Sequence, residues 1–210
     1  MQKLLNFTND LGSFYLYQYD QDSNELLEKV SLSPNDQSKL ARFNSNKRKK
    51  EWLAVRHLLK VIHPEQQFQL VYNEHGKPSL HDGTKISISH SDNFVGIALS
   101  NKHEIGIDIQ YFKSKIDRIQ SKFIHPKEAA LLKSMPDQDR LTYLHGYWTA
   151  KEAIYKTIAM PGTVFSEIDC SDLKIEKKEN WMATYRGEIF TLYTLRIGQL
   201  FLSYSHFASK

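Results

Sequence analysis

Apolar residues recur at two different periods along this chain, and the change from one to the other marks its elements. Ile86-Ser-Ile-Ser-His90 and Ile105-Gly-Ile-Asp-Ile-Gln110 alternate apolar with polar, the period of a half-buried strand. In the second segment, that alternation puts Ile105, Ile107 and Ile109 on one face and Gly106, Asp108 and Gln110 on the other. Phe94 to Leu99 pairs between these two. Phe14 to Tyr19 and Phe68 to Tyr72 are rich in aromatic and branched residues and read as strands, as do Ile189 to Leu195 and Leu200 to Phe207. The longer helical period appears from Lys47 to Ile62, where Trp52, Val55, Leu58, Leu59 and Ile62 fall three and four apart before His63-Pro64 ends the run. Pro126 to Leu132 and Leu141 to Ile158 read the same way, and Ser33-Pro34 has the form of a capped helix start.

Two of these elements echo one another. Glu51-Trp-Leu-Ala-Val-Arg-His-Leu-Leu-Lys60 aligns with Tyr147-Trp-Thr-Ala-Lys-Glu-Ala-Ile-Tyr-Lys156 at Trp52/Trp148, Ala54/Ala150 and Lys60/Lys156. After each helix comes a similar strand, Ile86-Ser-Ile-Ser-His90 and then Leu202-Ser-Tyr-Ser-His206. The repeated order predicts an α+β fold of two pseudo-symmetric halves, residues 1–102 and 103–210, each a small antiparallel sheet packed with helices and meeting at a central cleft.

Composition narrows the class. With 40% hydrophobic and 25% charged residues in 210, the chain is expected to be globular rather than disordered. Its lone cysteine, Cys170, excludes an internal disulfide and any metal site built on several thiolates, which suits a reducing compartment such as the cytoplasm. Asn6, Thr8, Asn9 and Asp10 interrupt the N-terminal apolar run too early for an export signal, and no stretch approaches the roughly 18 apolar residues of a membrane span. A net charge of +4 favours a polyanionic ligand or acidic partner without requiring one.

Each chemically suggestive residue also has an ordinary reading. Trp148, Glu152 and Lys156 share a helical face, where a Glu four residues before a Lys is most often a surface ion pair. Asp108 sits among isoleucines, where a carboxylate is costly unless a cation or donor faces it, but a polar outer face of an edge strand explains it equally well. His75-Gly76-Lys77-Pro78 reads as a hairpin turn, Ser89 and His90 as strand residues, and Arg56 as a helix-surface charge. The basic run Lys47-Arg48-Lys49-Lys50 is a solvated face or a phosphate contact, and it motivates nucleic-acid binding as an alternative. The scattered net charge argues against that alternative.

Taken together and in order, these segments resemble the Sfp-type 4′-phosphopantetheinyl transferases of the holo-acyl-carrier-protein synthase superfamily. His75-Gly-Lys-Pro78 is similar to the family's Gly-Lys-Pro turn, Ile86-Ser-Ile-Ser-His-Ser91 to its Ser-His-Ser strand, and Gly106-Ile-Asp-Ile-Gln110 to its Gly-x-Asp-x-Glu strand. Phe123-Ile-His-Pro-Lys-Glu128 resembles its Phe-x-x-Pro-x-Glu segment. Trp148-Thr-Ala-Lys-Glu-Ala-Ile-Tyr-Lys156 resembles its Trp-x-x-Lys-Glu-Ala-x-x-Lys helix, the most specific of the set.

The resemblance implies the 4′-phosphopantetheinyl transferase fold and transfer of 4′-phosphopantetheine from coenzyme A to a serine of an apo acyl or peptidyl carrier protein, releasing adenosine 3′,5′-bisphosphate. It implies that Asp108 and Glu152 hold Mg2+, with Mn2+ as the other option, and that Glu152 takes the serine proton directly or through a water. It implies further that Lys156 stabilises charge on the leaving phosphate, and that Arg56, Lys77, Ser89, His90 and Lys156 face the phosphates of coenzyme A. The first half then contributes to coenzyme A binding and the second carries the metal site and catalytic helix. Gln110 stands where the family commonly has a second strand carboxylate, so it is expected to ligate through its amide oxygen or a water, or not at all. The same departure motivates a second reading, a homologue that binds coenzyme A or carrier protein with little or no turnover. A monomer, with no nucleic-acid or membrane partner, completes the expectation.

Overall fold

The structure, a computed structural model, describes residues 2–64, 69–175, 177 and 179–208. Its strands form two antiparallel sheets. The first has the order β1-β2-β6-β5-β4-β3, from β1 (Gln2–Asn9), β2 (Gly12–Gln18), β3 (Leu70–Tyr72), β4 (Pro78–Leu80), β5 (Lys85–Ser91) and β6 (Phe94–Ser100). The second has the order β7-β10-β9-β8, from β7 (Ile105–Tyr111), β8 (Trp181–Tyr185), β9 (Glu188–Ile197) and β10 (Leu200–Phe207). Helices α1 (Ser23–Glu28), α2 (Pro34–Ala41) and α3 (Asn46–Ile62) lie between β2 and β3 in the chain. Between β7 and β8 come a 3-10 helix (Ser114–Lys122), α4 (Pro126–Lys133), α5 (Asp137–Ile158) and a short 3-10 turn (Phe165–Glu167).

Local signals account for the helix starts. The Ser33 hydroxyl accepts from Asp36 N with Pro34 opening α2, Ser45 accepts from Arg48 N at the start of α3, and His125 with Glu128 forms a reciprocal cap around Pro126 at α4. The apolar stripe of α3 buries Leu53, Ala54, Val55, Leu58 and Leu59 in one core with Val95, Ile97 and Leu99 of β6. Leu144, Tyr147, Ala150 and Ile154 of α5 share another with Trp181, Phe190 and Leu192.

The fold is the expected α+β arrangement of two antiparallel sheets packed with helices. In each sheet one strand, β2 or β7, is followed by helices and then by a meander whose last strand returns beside it, β6 against β2 and β10 against β7. The echoing helices, α3 and α5, are therefore equivalent. The echoing strands are not. Ile86 to His90 falls on β5, whereas the counterpart of β10 is β6, so that part of the repeat compares strands in different places. Further differences are β1, α1, β4, β8 and the 3-10 helices, which the pattern of apolar residues did not predict, the pairing of β6 with β5 and β2 rather than with β7, and the start of α5 at Asp137 rather than Leu141. Phe68, expected in β3, lies outside the described residues.

The two faces of β7 position everything that follows. Ile105, Ile107 and Ile109 are buried in a third core with Phe14, Leu16 and Ala98 of the first sheet and Leu200, Leu202 and Tyr204 of β10. The opposite face turns to α5, where Gly106 lies so close beneath the helix that an added Cβ would meet the Ala153 carbonyl oxygen and Thr157. The free edge of β7 is covered by side chains. Ser87, Ser89 and Ser91 of β5 present hydroxyls that accept the backbone N–H groups of Ile107 at 2.9 Å, Ile109 at 3.0 Å and Tyr111 at 2.8 Å. Alternate serines on one strand thus take the place of a neighbouring strand's carbonyls, joining the sheets while satisfying outward-facing donors. Among the described residues no helix is long and apolar enough to cross a membrane.

Candidate functional site

The centre of the candidate site is the contact between β7 and α5. Asp108, nearly fully buried, directs Oδ1 at two donors: Lys156 Nζ at 2.7 Å and the Ser89 hydroxyl at 2.8 Å. Lys156 therefore reaches from the helix to the sheet, which supplies the cation that a carboxylate among isoleucines requires. Glu152, one helical turn before Lys156, has its carboxyl pushed up to about 7 by its own burial and then by the Asp108 charge, with Lys156 pulling the other way. Two carboxylates thus share one half-buried cation, and repulsion between them remains.

That imbalance bears on whether a metal fits. A divalent cation would relieve the repulsion that raises Glu152, and the donors available, two carboxylates with Gln110 two residues beyond Asp108, are all oxygen. This donor chemistry suits Mg2+, which commonly takes one or two carboxylates and completes its shell from water and substrate phosphate. Among the described residues, no cluster of three or more His, Cys, Asp or Glu side chains is positioned to hold a metal ion by itself.

Arg56, Lys77, His90 and Gln110 are strung along one groove beside this centre, whereas Ser89, expected among them, is buried and lines none of it. Lys156 and Lys77 line its first hollow, of about 200 Å3, together with Pro78, Ile88 and the exposed Tyr155. Pro78 and Ile88 continue into a hollow of about 310 Å3 that contains Arg56 and His90. His90, Arg48 and Glu51 lead on into a third, which Gln110 and Lys113 line. The basic residues are not idle. Lys77 pairs with Glu104 and donates to the Thr157 carbonyl at 2.7 Å, Arg56 stacks on Trp52 and donates to Asp36 at 2.9 Å, and His90 Nδ1 lies 3.4 Å from Glu51. Lys77 is aimed by its turn: Asn73 Oδ1 accepts the N–H groups of His75 and Lys77, and Gly76 takes a φ of 78° that favours glycine.

Several contributors were not singled out from the sequence. Phe43, Trp52 and Tyr72 give the middle hollow aromatic walls, and Lys39 joins Arg48, of the basic run already noted, in adding charge to it. The indole Nε1 of Trp52 and Nε of Arg56 are buried there without hydrogen-bond partners. An apolar stripe explains Trp52 from sequence, but only the fold brings Phe43 and Tyr72 to it. Lys151 is the other surprise. Adjacent to Glu152, it is fully buried and donates to Glu128 at 2.7 Å and to the carbonyls of Phe123 at 2.7 Å and Phe165 at 3.2 Å. Glu128 in turn accepts from His125 N and Cys170 N. Two of the sequence motifs, Phe123 to Glu128 and Trp148 to Lys156, are therefore one interlocked unit, closed by Trp148 edge-on against Phe123.

Comparison with known proteins points to one family. The 4′-phosphopantetheinyl transferase superfamily model matches residues 104–199, which include Asp108, Gln110, Glu128, Glu152 and Lys156. The 4′-phosphopantetheinyl transferase HetI of Nostoc sp. (strain PCC 7120) is 30% identical over 151 residues, 65% of this chain and 64% of that protein. The 4′-phosphopantetheinyl transferase gsp of Aneurinibacillus migulanus is 36% identical over 110 residues, 51% of this chain and 46% of that protein. AcpT of Salmonella typhi, another 4′-phosphopantetheinyl transferase, is 31% identical over 114 residues, 52% of this chain and 58% of that protein. The chain thus spans about half to just under two thirds of the length of these curated relatives. Residues 104–199, just under half of the chain, thus resemble the 4′-phosphopantetheinyl transferase superfamily, and the likeness to its curated members extends beyond them.

Proposed function

We propose that the protein transfers the 4′-phosphopantetheine group of coenzyme A to a serine hydroxyl of an apo acyl or peptidyl carrier protein. The observation that carries this reading is the apposition of Asp108 on β7 with Glu152 and Lys156 on α5, at the end of a groove lined by cations. In the reaction the serine oxygen bonds to the phosphorus that bears the pantetheine arm, the diphosphate P–O bond breaks, and adenosine 3′,5′-bisphosphate leaves. Coenzyme A brings roughly four negative charges at neutral pH, so its binding needs a concentration of cations.

Arg56, Lys77, His90 and Lys156 supply that concentration, binding the phosphates by exchanging their present carboxylate and carbonyl partners for phosphate oxygens. The Ser89 hydrogen already serves Asp108, so Ser89 belongs to the nucleotide site through the strand that it shares with His90. Glu152, whose carboxyl is pushed up to about 7 by burial and then by the Asp108 charge, takes the serine proton directly or through a water as the new bond forms. Lys156 then faces the leaving phosphate, where a positioned ammonium offsets developing charge. Asp108 and Glu152 would hold Mg2+, which when bound supplies neutralisation of the diphosphate. Residues 1–102 provide most of the nucleotide groove and 103–210 the carboxylates and α5. One chain holds both parts of the groove, so we assign it a monomeric state and, with a single buried cysteine, a cytoplasmic location.

The test is mass spectrometry of several apo carrier proteins after incubation with the protein, coenzyme A and Mg2+. One added phosphopantetheine on a carrier is the expected result. Coenzyme A binding with no mass shift on any carrier would instead favour a binding homologue, the reading that Gln110 motivates.

A further inference from the structure

The three serines of β5 look interchangeable in sequence, but the structure gives one of them a second task. Ser87, Ser89 and Ser91 each accept one backbone N–H from the edge of β7. Only Ser89 has a side chain carboxylate as its other partner: its hydroxyl accepts Ile109 N–H at 3.0 Å and donates to Asp108 Oδ1 at 2.8 Å. A serine hydroxyl has a single hydrogen, so accepting from the backbone leaves that hydrogen free to be aimed elsewhere. The rigid seam aims it at Asp108. Ser89 is 4% exposed and Asp108 6% exposed, so neither bond competes with bulk water.

We infer that Ser89 is a positioning residue: it anchors Asp108 Oδ1 to the β5–β7 seam, so that the other carboxylate oxygen is held ready for a cation. Asp108 Oδ1 is then occupied by Ser89 and Lys156, and Oδ2 is the atom left for a ligand. A carboxylate held by one lysine alone can swing with that flexible side chain. A hydroxyl that is itself fixed by a backbone donor removes the swing. Groups that orient metal-binding carboxylates in this way are commonly worth 10–100-fold in metal affinity or activity. The device also couples the two sheets to the reaction centre, because the middle member of the hydrogen-bond row that joins β5 to β7 is the serine that holds Asp108.

The inference rests on the proposed metal-dependent transfer, and the serine row contains its own controls. Ser87→Ala and Ser91→Ala remove one seam hydrogen bond each, and Ser89→Ala removes a seam bond together with the Asp108 anchor. Mn2+ binding in the presence of coenzyme A, followed by electron paramagnetic resonance, is expected to weaken about tenfold in Ser89→Ala and less than about twofold in the other two. The Mg2+ concentration for half-maximal transfer should shift in parallel, while thermal stability falls in all three and somewhat further in Ser89→Ala, which also gives up the bond to Asp108. Ser89→Thr, which keeps the hydroxyl, should restore metal binding. Equal metal affinity in the three alanine variants, or a folded Ser89→Thr that binds as weakly as Ser89→Ala, overturns the inference and leaves the transferase reading standing. A wild-type protein that neither binds Mn2+ with coenzyme A nor modifies a carrier overturns the reading itself.

Discussion

Gly106 of β7 and Ala153 of α5 are in such close approach that a Cβ built on Gly106 would stand 1.9 Å from the Ala153 carbonyl oxygen. Backbone cannot yield as a flexible side chain can, so any side chain at position 106 pushes the helix off the strand. The glycine of the Gly-Ile-Asp-Ile-Gln segment therefore sets the spacing between Asp108, two residues along the strand, and Glu152, the residue before Ala153. Gly106→Ala is expected to cost about 1–3 kcal/mol of stability by overpacking. It should also lower transfer per folded molecule by more than that loss explains, because the displaced carboxylates no longer converge. Urea unfolding together with activity measured below the unfolding transition checks both; full activity in the folded variant would show that the spacing is not required.

The two carboxylates should be required alike, and the neutral Gln110 should not. Asp108→Asn removes the charge that Lys156 faces, and Glu152→Gln removes the proposed base, so each should reduce kcat at least about 100-fold. Gln110→Glu should keep activity within a few-fold, since it adds a carboxylate where a neutral oxygen donor now stands. Initial rates over a range of Mg2+ concentrations, with circular dichroism to confirm folding, separate these cases. A large loss in Gln110→Glu would mean that the site depends on a neutral group there.

Lys151 and Glu128 are both 0% exposed and are joined at 2.7 Å. Removing one member leaves a buried charge without its partner, a change that typically costs 3–5 kcal/mol. Lys151→Met is therefore predicted to destabilise strongly, and Lys151→Met with Glu128→Gln to recover part of the loss, since the second change removes the stranded charge. Denaturant unfolding of the two single variants and the double variant forms the cycle. Additive losses would show that the pair is not coupled.

How much of this was legible beforehand depends on the range of the interaction. Period-two alternation identified β5 and β7, aromatic and branched residues marked β9 and β10, and the helical period identified α3 and α5. Asp108 was conspicuous as a charge among isoleucines, and Lys156 is its cation. Lys151 sat beside Glu152 in the same motif with nothing to mark it as buried, since its partners are 14 to 28 residues away. The serine row on β5 read as the polar half of an alternating strand. Its actual partner is the backbone of another sheet, and no sequence pattern records a hydroxyl standing in for a strand. Trp181-Met-Ala-Thr-Tyr185 alternates buried with exposed, but five residues with one alanine make a weak signal, and β8 went unpredicted.

A pH dependence of stability follows from His145. Its Nδ1 lies 2.8 Å from the Leu141 carbonyl, to which it donates, and its Nε2 accepts Lys113 N–H at 2.9 Å. Only the neutral ring can do both. The ring is stacked between Phe112 and Phe201, and burial holds its pKa below the usual imidazole value, with the Arg196 charge acting in the same direction. A histidine whose folded pKa is depressed binds fewer protons folded than unfolded, so stability rises with pH through that window. The contribution is complete above the unfolded value of about 6.5 and is lost as the pH falls below it. The His145 contribution should therefore be level from about pH 7 to 8 and decline toward pH 5, while Glu152, with its raised carboxyl, drifts the opposite way between about pH 5 and 7. The difference in unfolding free energy between the protein and His145→Gln isolates the histidine, since His57, His90 and His206, which burial also lowers, are common to both. Urea titrations of both proteins across that range test the slope: an identical slope in His145→Gln would mean that the ring is not held neutral by the contact with Lys113.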